Sequence, residues 1–159
     1  MTFRIEPATE RDVPLILKFI TDLAEYEKLS HAVVATEATL RESLFERRAA
    51  EVVIGYAGDQ PAGFALFFQT FSTFVGKPGM YLEDLFVAPE WRRHGLGRAL
   101  LARLARIAVE RGYGRVEWSV LDWNAPTIAF YKTLGACPMD EWTVFRLTGD
   151  SIRALAEAK

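Results

Sequence analysis

The feature that most constrains this chain is a short junction. A strand-like run, Met80 to Val87, is cut by Pro89 and then leads into Arg92-Arg93-His94-Gly95-Leu96-Gly97-Arg98. A long helical pattern follows at once, with Leu96, Leu100, Leu104, Ile107 and Ala108 on one stripe and Gly112 as its stop. A strand that turns through glycines into a helix N-terminus makes an anion cradle. The first helical N–H groups lack intrahelical partners, and the helix dipole favours negative charge there. Gly95 and Gly97 leave room for close backbone approach, and Arg92, Arg93 and Arg98 add charge suited to a pyrophosphate. Spacing alone does not separate this from a glycine turn carrying solvated arginines. Two rival loops are excluded: no Gly-Lys-Ser/Thr ending is present, and position 100, where a dinucleotide fingerprint needs its third glycine, is Leu.

The rest of the pattern predicts a mixed α/β domain spanning residues 1–159. Phe3 to Glu6 reads as a strand, and Thr9 caps a helix that carries Val13, Ile16, Ile20 and Leu23, with Pro14 in its early turns. Thr36 caps a second helix with Leu40, Leu44 and Phe45 on its apolar face. Glu51 to Ala57 and Ala62 to Phe71 flank a Gly-Asp-Gln-Pro turn and read as a hairpin. Met80 to Val87 is the next strand. After the long helix, Val116, Trp118 and Val120 alternate as a strand, and Pro126 opens a short helix running through Lys132 and closed by Gly135. Trp142 to Leu147 reads as a last strand. An antiparallel meander followed by a β-α-β unit gives a mostly antiparallel sheet with helices on both faces.

Composition narrows the function classes. With 19 Lys and Arg against 21 Asp and Glu, the chain lacks the basic excess of a nucleic-acid surface. A single cysteine, Cys137, and two distant histidines offer neither a disulfide nor a metal cluster. No apolar run approaches a membrane span and no signal segment opens the chain, so a soluble, cytoplasmic protein is expected. No histidine lies near Cys137 in sequence, and no Gly-x-Ser-x-Gly elbow occurs, so direct transfer is favoured over a covalent enzyme intermediate.

The Arg-x-x-Gly-x-Gly pattern at Arg92, Gly95 and Gly97 resembles the coenzyme A loop of the GNAT superfamily of N-acetyltransferases, and the order of elements matches that fold along essentially the whole chain. Tyr81-Leu82-Glu83-Asp84-Leu85-Phe86-Val87, Trp123-Asn124-Ala125-Pro126, Phe130-Tyr131-Lys132 and Leu23-Ala24-Glu25-Tyr26-Glu27 resemble its diamine (spermidine/spermine) and thialysine branch. The resemblance implies acetyl-CoA as cosubstrate, no metal, a small-molecule amine as acceptor and a homodimer. It implies that Leu85, Phe86 and Val87 offer backbone groups to the pantetheine arm. Arg92, Arg93, His94, Gly95, Leu96, Gly97 and Arg98 would hold the pyrophosphate. Asn124, Ala125, Pro126, Thr127 and Tyr131 would line the rest of the coenzyme.

An alkyl amine, with a pKa near ~10.4, must lose a proton before it attacks, and a thiolate leaving group benefits from gaining one. Glu83 is the candidate proton acceptor and Tyr131 the candidate donor. On a flat strand Glu83 shares a face with Tyr81 and Leu85, and Asp84 points to the other. The resemblance implies a bulge here that brings both carboxylates toward the cleft. Tyr26, Glu27, Glu83, Asp84, Glu117, Trp118 and Asp140 are the candidate contacts for a cationic substrate. Ser72-Thr73-Phe74 stands where polyamine-acetylating members carry an Asp and a Trp, which leaves room for a shorter diamine, a lysine analogue such as thialysine, or another small amine; the rival readings are a coenzyme A-binding sensor without turnover and an acetyltransferase acting on a protein amine.

Overall fold

The computed structural model describes residues Thr2–Ala158. They fall into two compact units, the first ending at Leu121 and the second beginning at Asp122. The first holds a five-stranded sheet in the order β1-β2-β3-β4-β5. Its elements are β1 (Arg4–Pro7), α1 (Val13–Tyr26), α2 (Glu37–Arg41), β2 (Glu51–Ala57), β3 (Gln60–Ser72), β4 (Lys77–Val87), α3 (Leu96–Glu110) and β5 (Val116–Trp118). β1 to β4 pair antiparallel, and β5 joins β4 in parallel.

The local signals explain the helix starts. The Asp12 carboxylate accepts the Thr9 backbone N–H at 2.7 Å and fixes the turn ahead of α1, with Pro14 in the first turn. Thr36 Oγ1 accepts the Thr39 N–H at 3.1 Å and caps α2, which runs on into a π-helical turn, Glu42–Glu46. Each face of the sheet then buries one apolar helical surface. Leu96, Leu100, Leu104 and Ala108 of α3 pack on Val53, Ala65, Phe67, Met80 and Leu82. On the other face Ile16 and Phe19 of α1, with Leu44, cover Val52, Ile54, Phe64, Leu66 and Phe86. Phe19 stacks on Phe64 at 5.4 Å between ring centroids. No helix is long and apolar enough to cross a membrane.

The second unit carries α4 (Ala125–Thr133) and α5 (Gly149–Ala156). The strand expected at Trp142–Leu147 is not formed. The segment pairs with no strand among the described residues, and Val144 and Phe145 are exposed. Alternating apolar residues specify a strand only where a partner supplies ladder hydrogen bonds, and this unit offers helices alone. α5, an exposed helix, is an element that the sequence pattern above does not predict. β5 also stops at Trp118, so Val120 lies beyond it.

Gly63 is where the sheet tolerates least. A Cβ built there would sit 2.4 Å from the Phe86 carbonyl oxygen, which is backbone and cannot yield. At Gly55 the clash is with the Leu96 Cδ1 at 2.7 Å, the end of a side chain that can rotate. Gly63→Ala should therefore destabilise by about 1–3 kcal/mol, the range for overpacking, and clearly more than Gly55→Ala. Urea denaturation of both variants checks this, and equal losses would contradict it.

Candidate active site

The site in the first unit grows from one irregularity in β4. Leu66 pairs with Asp84 and Phe67 with Leu82, so Glu83 is an extra residue without a partner in β3. The bulge implied by the resemblance is present, and it reverses the parity of the strand. Before it, Met80 and Leu82 face the α3 core, which puts Tyr81 on the α1 face beside Phe68. After it, Leu85 and Val87 pack toward α3 and Phe86 lies in the α1 core. Asp84, two residues from Phe86, therefore shares the α1 face with Tyr81. The flat-strand expectation that Glu83, Tyr81 and Leu85 share a face does not hold, because the extra residue places Tyr81 and Leu85 on opposite faces.

The bulge also opens an edge. β5 accompanies β4 only over Met80–Leu82. Beyond it, β4 pairs with no strand on that side among the described residues. Ala88 N–H bonds the Ala62 carbonyl, and Phe86 pairs with Phe64. By antiparallel alternation, the backbone groups of 84, 86 and 88 serve β3, while those of Leu85 and Val87 point outward. Leu85 and Val87 can thus accept a ligand as a further strand. Phe86 cannot do so through its backbone, and its side chain is buried.

The loop that follows is shaped for an anion. Arg93 (φ 66°) and Gly95 (φ 91°) are left-handed, and Gly95 is the N-cap of α3. The first intrahelical bond runs from Ala99 N–H to the Gly95 carbonyl, so Leu96, Gly97 and Arg98 keep N–H groups without intrahelical acceptors. A Cβ at Gly97 would meet only Val87 Cγ2 at 3.9 Å, and one at Gly95 would meet nothing. Packing within the protein leaves the space over this turn free, as a cradle for a phosphate requires. Arg93, His94 and Arg98 are exposed around it. Arg92 is not: its guanidinium is turned toward the Tyr26 ring at the end of α1.

Carboxylates collect on the α1 side. Burial raises the Asp84 pKa to about 6, and the neighbouring charges of Glu83 and Glu27 push in the same direction. Burial also raises Glu27, which caps the C-terminus of α1 next to Tyr26. Of the seven residues that the sequence groups as substrate contacts, the structure brings Glu27, Glu83 and Asp84 together, with Asp84 the strongly perturbed member. Glu117 and Trp118 are less well matched to that group. Glu117 lies 3.7 Å from Arg115 Nε, and Trp118 packs against the α3 core.

In the second unit Asn124 precedes α4 and its carbonyl accepts the Ile128 N–H, with Pro126 in the first turn. Ala125 and Thr127 stand in that same turn. Tyr131 is half-buried on α4 beside Phe130, and Asp140 is exposed beyond the helix.

The model of the acetyltransferase (GNAT) family matches residues 19–136. The chain belongs to the GNAT acetyltransferase family. Thialysine N-epsilon-acetyltransferase of Caenorhabditis elegans is 37% identical over 98% of both chains. L-ornithine N5-acetyltransferase NATA1 of Arabidopsis thaliana is 35% identical, covering 98% of this chain and 88% of the relative. These relatives agree with the diamine and thialysine branch indicated by the motifs. Among solved structures, an integron cassette protein from the mobile metagenome of V. cholerae superposes with a TM-score of 0.81 at 27% identity over 99% of each chain. A ribosomal-protein-alanine N-acetyltransferase of Brucella melitensis shares the fold, with a TM-score of 0.75 at 19% identity over 94% of this chain. This GNAT member is an N-acetyltransferase, and acetyl-CoA is the cosubstrate of its family.

The raised Asp84 carboxyl carries a stability consequence. The folded state holds this proton up to about pH 6, whereas an unfolded Asp releases it near ~4. The folded state thus binds more protons in that window, and stability falls as pH rises through it. Asp84→Asn should raise stability by about 2 kcal/mol above pH 6.5, with the gain fading toward pH 4. Thermal melts of both proteins across this range test the point. A gain that stays constant with pH would mean that Asp84 is not held protonated by its surroundings.

Proposed function

We propose that this enzyme acetylates a primary amine of a short diamino compound, of the ornithine or thialysine kind. The observation that carries this reading is the carboxylate group of Glu27, Glu83 and Asp84 beside the open edge at Leu85 and Val87. A cationic acceptor is drawn to such a group, and burial together with the like charges of Glu83 and Glu27 raises the Asp84 pKa. Ser72, Thr73 and Phe74 supply no acid for a distant second ammonium, which favours short acceptors over long polyamines.

Bound acetyl-CoA supplies an activated acetyl thioester. The protein's own residues do the rest. The outward N–H groups of Leu85 and Val87 hold the donor's extended arm and can donate to a carbonyl oxygen as it gains charge. The turn from Arg93 to Arg98 holds phosphate. Asp84 and Glu27 orient the ammonium, and Glu83, exposed at the bulge, accepts the proton and passes it to water. Tyr131 holds the proton that the departing sulfur requires.

Thiol release should be measured with ornithine, thialysine, lysine, putrescine, spermidine and a lysine peptide. Release should be fastest with the short diamino acids. Tight coenzyme binding with no release from any of them would refute the reading. Tyr131→Phe should lower kcat by about 100-fold or more while coenzyme affinity holds, and Glu83→Gln should act in the same direction. Full turnover in Tyr131→Phe would remove that residue from the chemistry. With Asp84 intact, the KM for the amine should rise as pH falls through about 6, because the protonated carboxyl no longer attracts an ammonium.

A further inference from the structure

Arg92 opens the glycine motif, where its charge suggests a phosphate ligand, but its contacts lie elsewhere. Its Nε donates to the Val87 carbonyl at 2.9 Å. The guanidinium carbon lies 4.9 Å from the Tyr26 ring centre and 5.6 Å from that of Phe86. Among the described residues it has no carboxylate partner. The side chain is thus fixed at three points on two elements: the outward carbonyl at the end of β4, a core ring of β4, and the last residue of α1. That last residue is followed directly by Glu27, whose charge reaches Asp84.

The helix end needs such a tie. α1 closes on Glu27, and the next residue, Lys28, is forced into the left-handed region at φ 62°. Backbone hydrogen bonds from the Glu27 N–H to the Leu23 carbonyl, the Lys28 N–H to the Glu25 carbonyl and the Leu29 N–H to the Ala24 carbonyl close the exit turn. Helix termini fray more readily than helix interiors, so each tie to a neighbouring element counts there. A planar guanidinium stacked on Tyr26 and hydrogen-bonded to β4 anchors it to the strand that carries Asp84.

We infer that Arg92 is a positioning residue for the amine site, clamping the Tyr26–Glu27 end of α1 to the coenzyme strand so that Glu27 and Asp84 face one ammonium. It joins the loop that holds the donor to the helix that meets the acceptor. The carbonyl it occupies is one of those that β4 turns outward, so Arg92 also decides which outward groups of β4 remain for a ligand: the Leu85 N–H and carbonyl and the Val87 N–H. The inference takes from the proposed function only that Glu27 and Asp84 meet the amine.

Arg92→Lys and Arg92→Ala test it. Lysine keeps the charge and loses both the Nε fork and the flat stacking surface. Three readings are needed: coenzyme A affinity by calorimetry, KM for ornithine or thialysine, and amide hydrogen exchange across 23–29. Both variants should raise the amine KM by about tenfold, leave coenzyme affinity within about threefold, and speed exchange at the end of α1. The acid limb of kcat/KM for the amine should also move to lower pH. Glu27 drifts from Asp84, while Glu83 stays on the same strand, so the carboxyl of Asp84 loses burial and one repelling neighbour. A large loss of coenzyme affinity with the amine KM unchanged would make Arg92 a phosphate ligand and overturn the inference. Parallel losses of both affinities, or no change in either, would overturn it as well. If Arg92→Ala does not fold, Arg92→Lys decides. Exchange at 23–29 needs no turnover: if no amine is ever acetylated, unchanged exchange in the lysine variant still overturns the clamp, and faster exchange sustains it.

Discussion

The site depends on a single extra residue in β4. A sheet that continued regularly past Leu82 would keep Leu82 and Asp84 on the same face, in the core beneath α3. A carboxylate there would be buried without a partner, and several kcal/mol would be lost. Glu83 absorbs the parity change instead. The strand twists, Asp84 emerges on the α1 face, and Leu85 and Val87 take over the apolar contact with α3. In the same stretch β5 falls away. The acidic group and the open backbone edge are therefore two results of one local irregularity.

Much of this was legible in the sequence because the determinants are local. The stripe from Leu96 to Ala108, the Thr36 cap, the hairpin turn at Gly58 and the glycine motif each carry their signal within a few residues, and each forms where expected. The carboxylates Glu27, Glu83 and Asp84 were legible only as members of a larger set that included Glu117 and Asp140. Which of them is perturbed was not, because burial depends on α1 packing over β4, a contact between residues far apart in the chain. Parity failed for a similar reason. A bulge leaves no mark in a hydrophobic pattern as short as Leu82-Glu83-Asp84-Leu85, where a regular strand reads just as well.

Arg92 shows the limit of reading charge as function. An arginine at the head of a glycine turn reads as a phosphate ligand. Its guanidinium goes instead to a carbonyl and two rings, since a planar, weakly hydrated guanidinium can stack flat on aromatic faces and donate a hydrogen bond at the same time. The segment from Trp142 to Leu147 failed in the opposite way. Its alternation is real, but alternation supplies no hydrogen-bond partner.

The shared dependence on Glu83 has a consequence for how enzymes of this build can diversify. Removing or moving the bulge would alter the donor edge and the acceptor face together, so drift in β4 is penalised twice. Acceptor preference is free to change only through elements that touch the amine without shaping the donor edge. In the proposed amine site, the exit of α1 at Tyr26 and Glu27 and the tip of the β3–β4 hairpin are two such places. A lineage exploring new amines would hold β4 constant and vary its surroundings, as a lathe keeps its spindle and changes its tools.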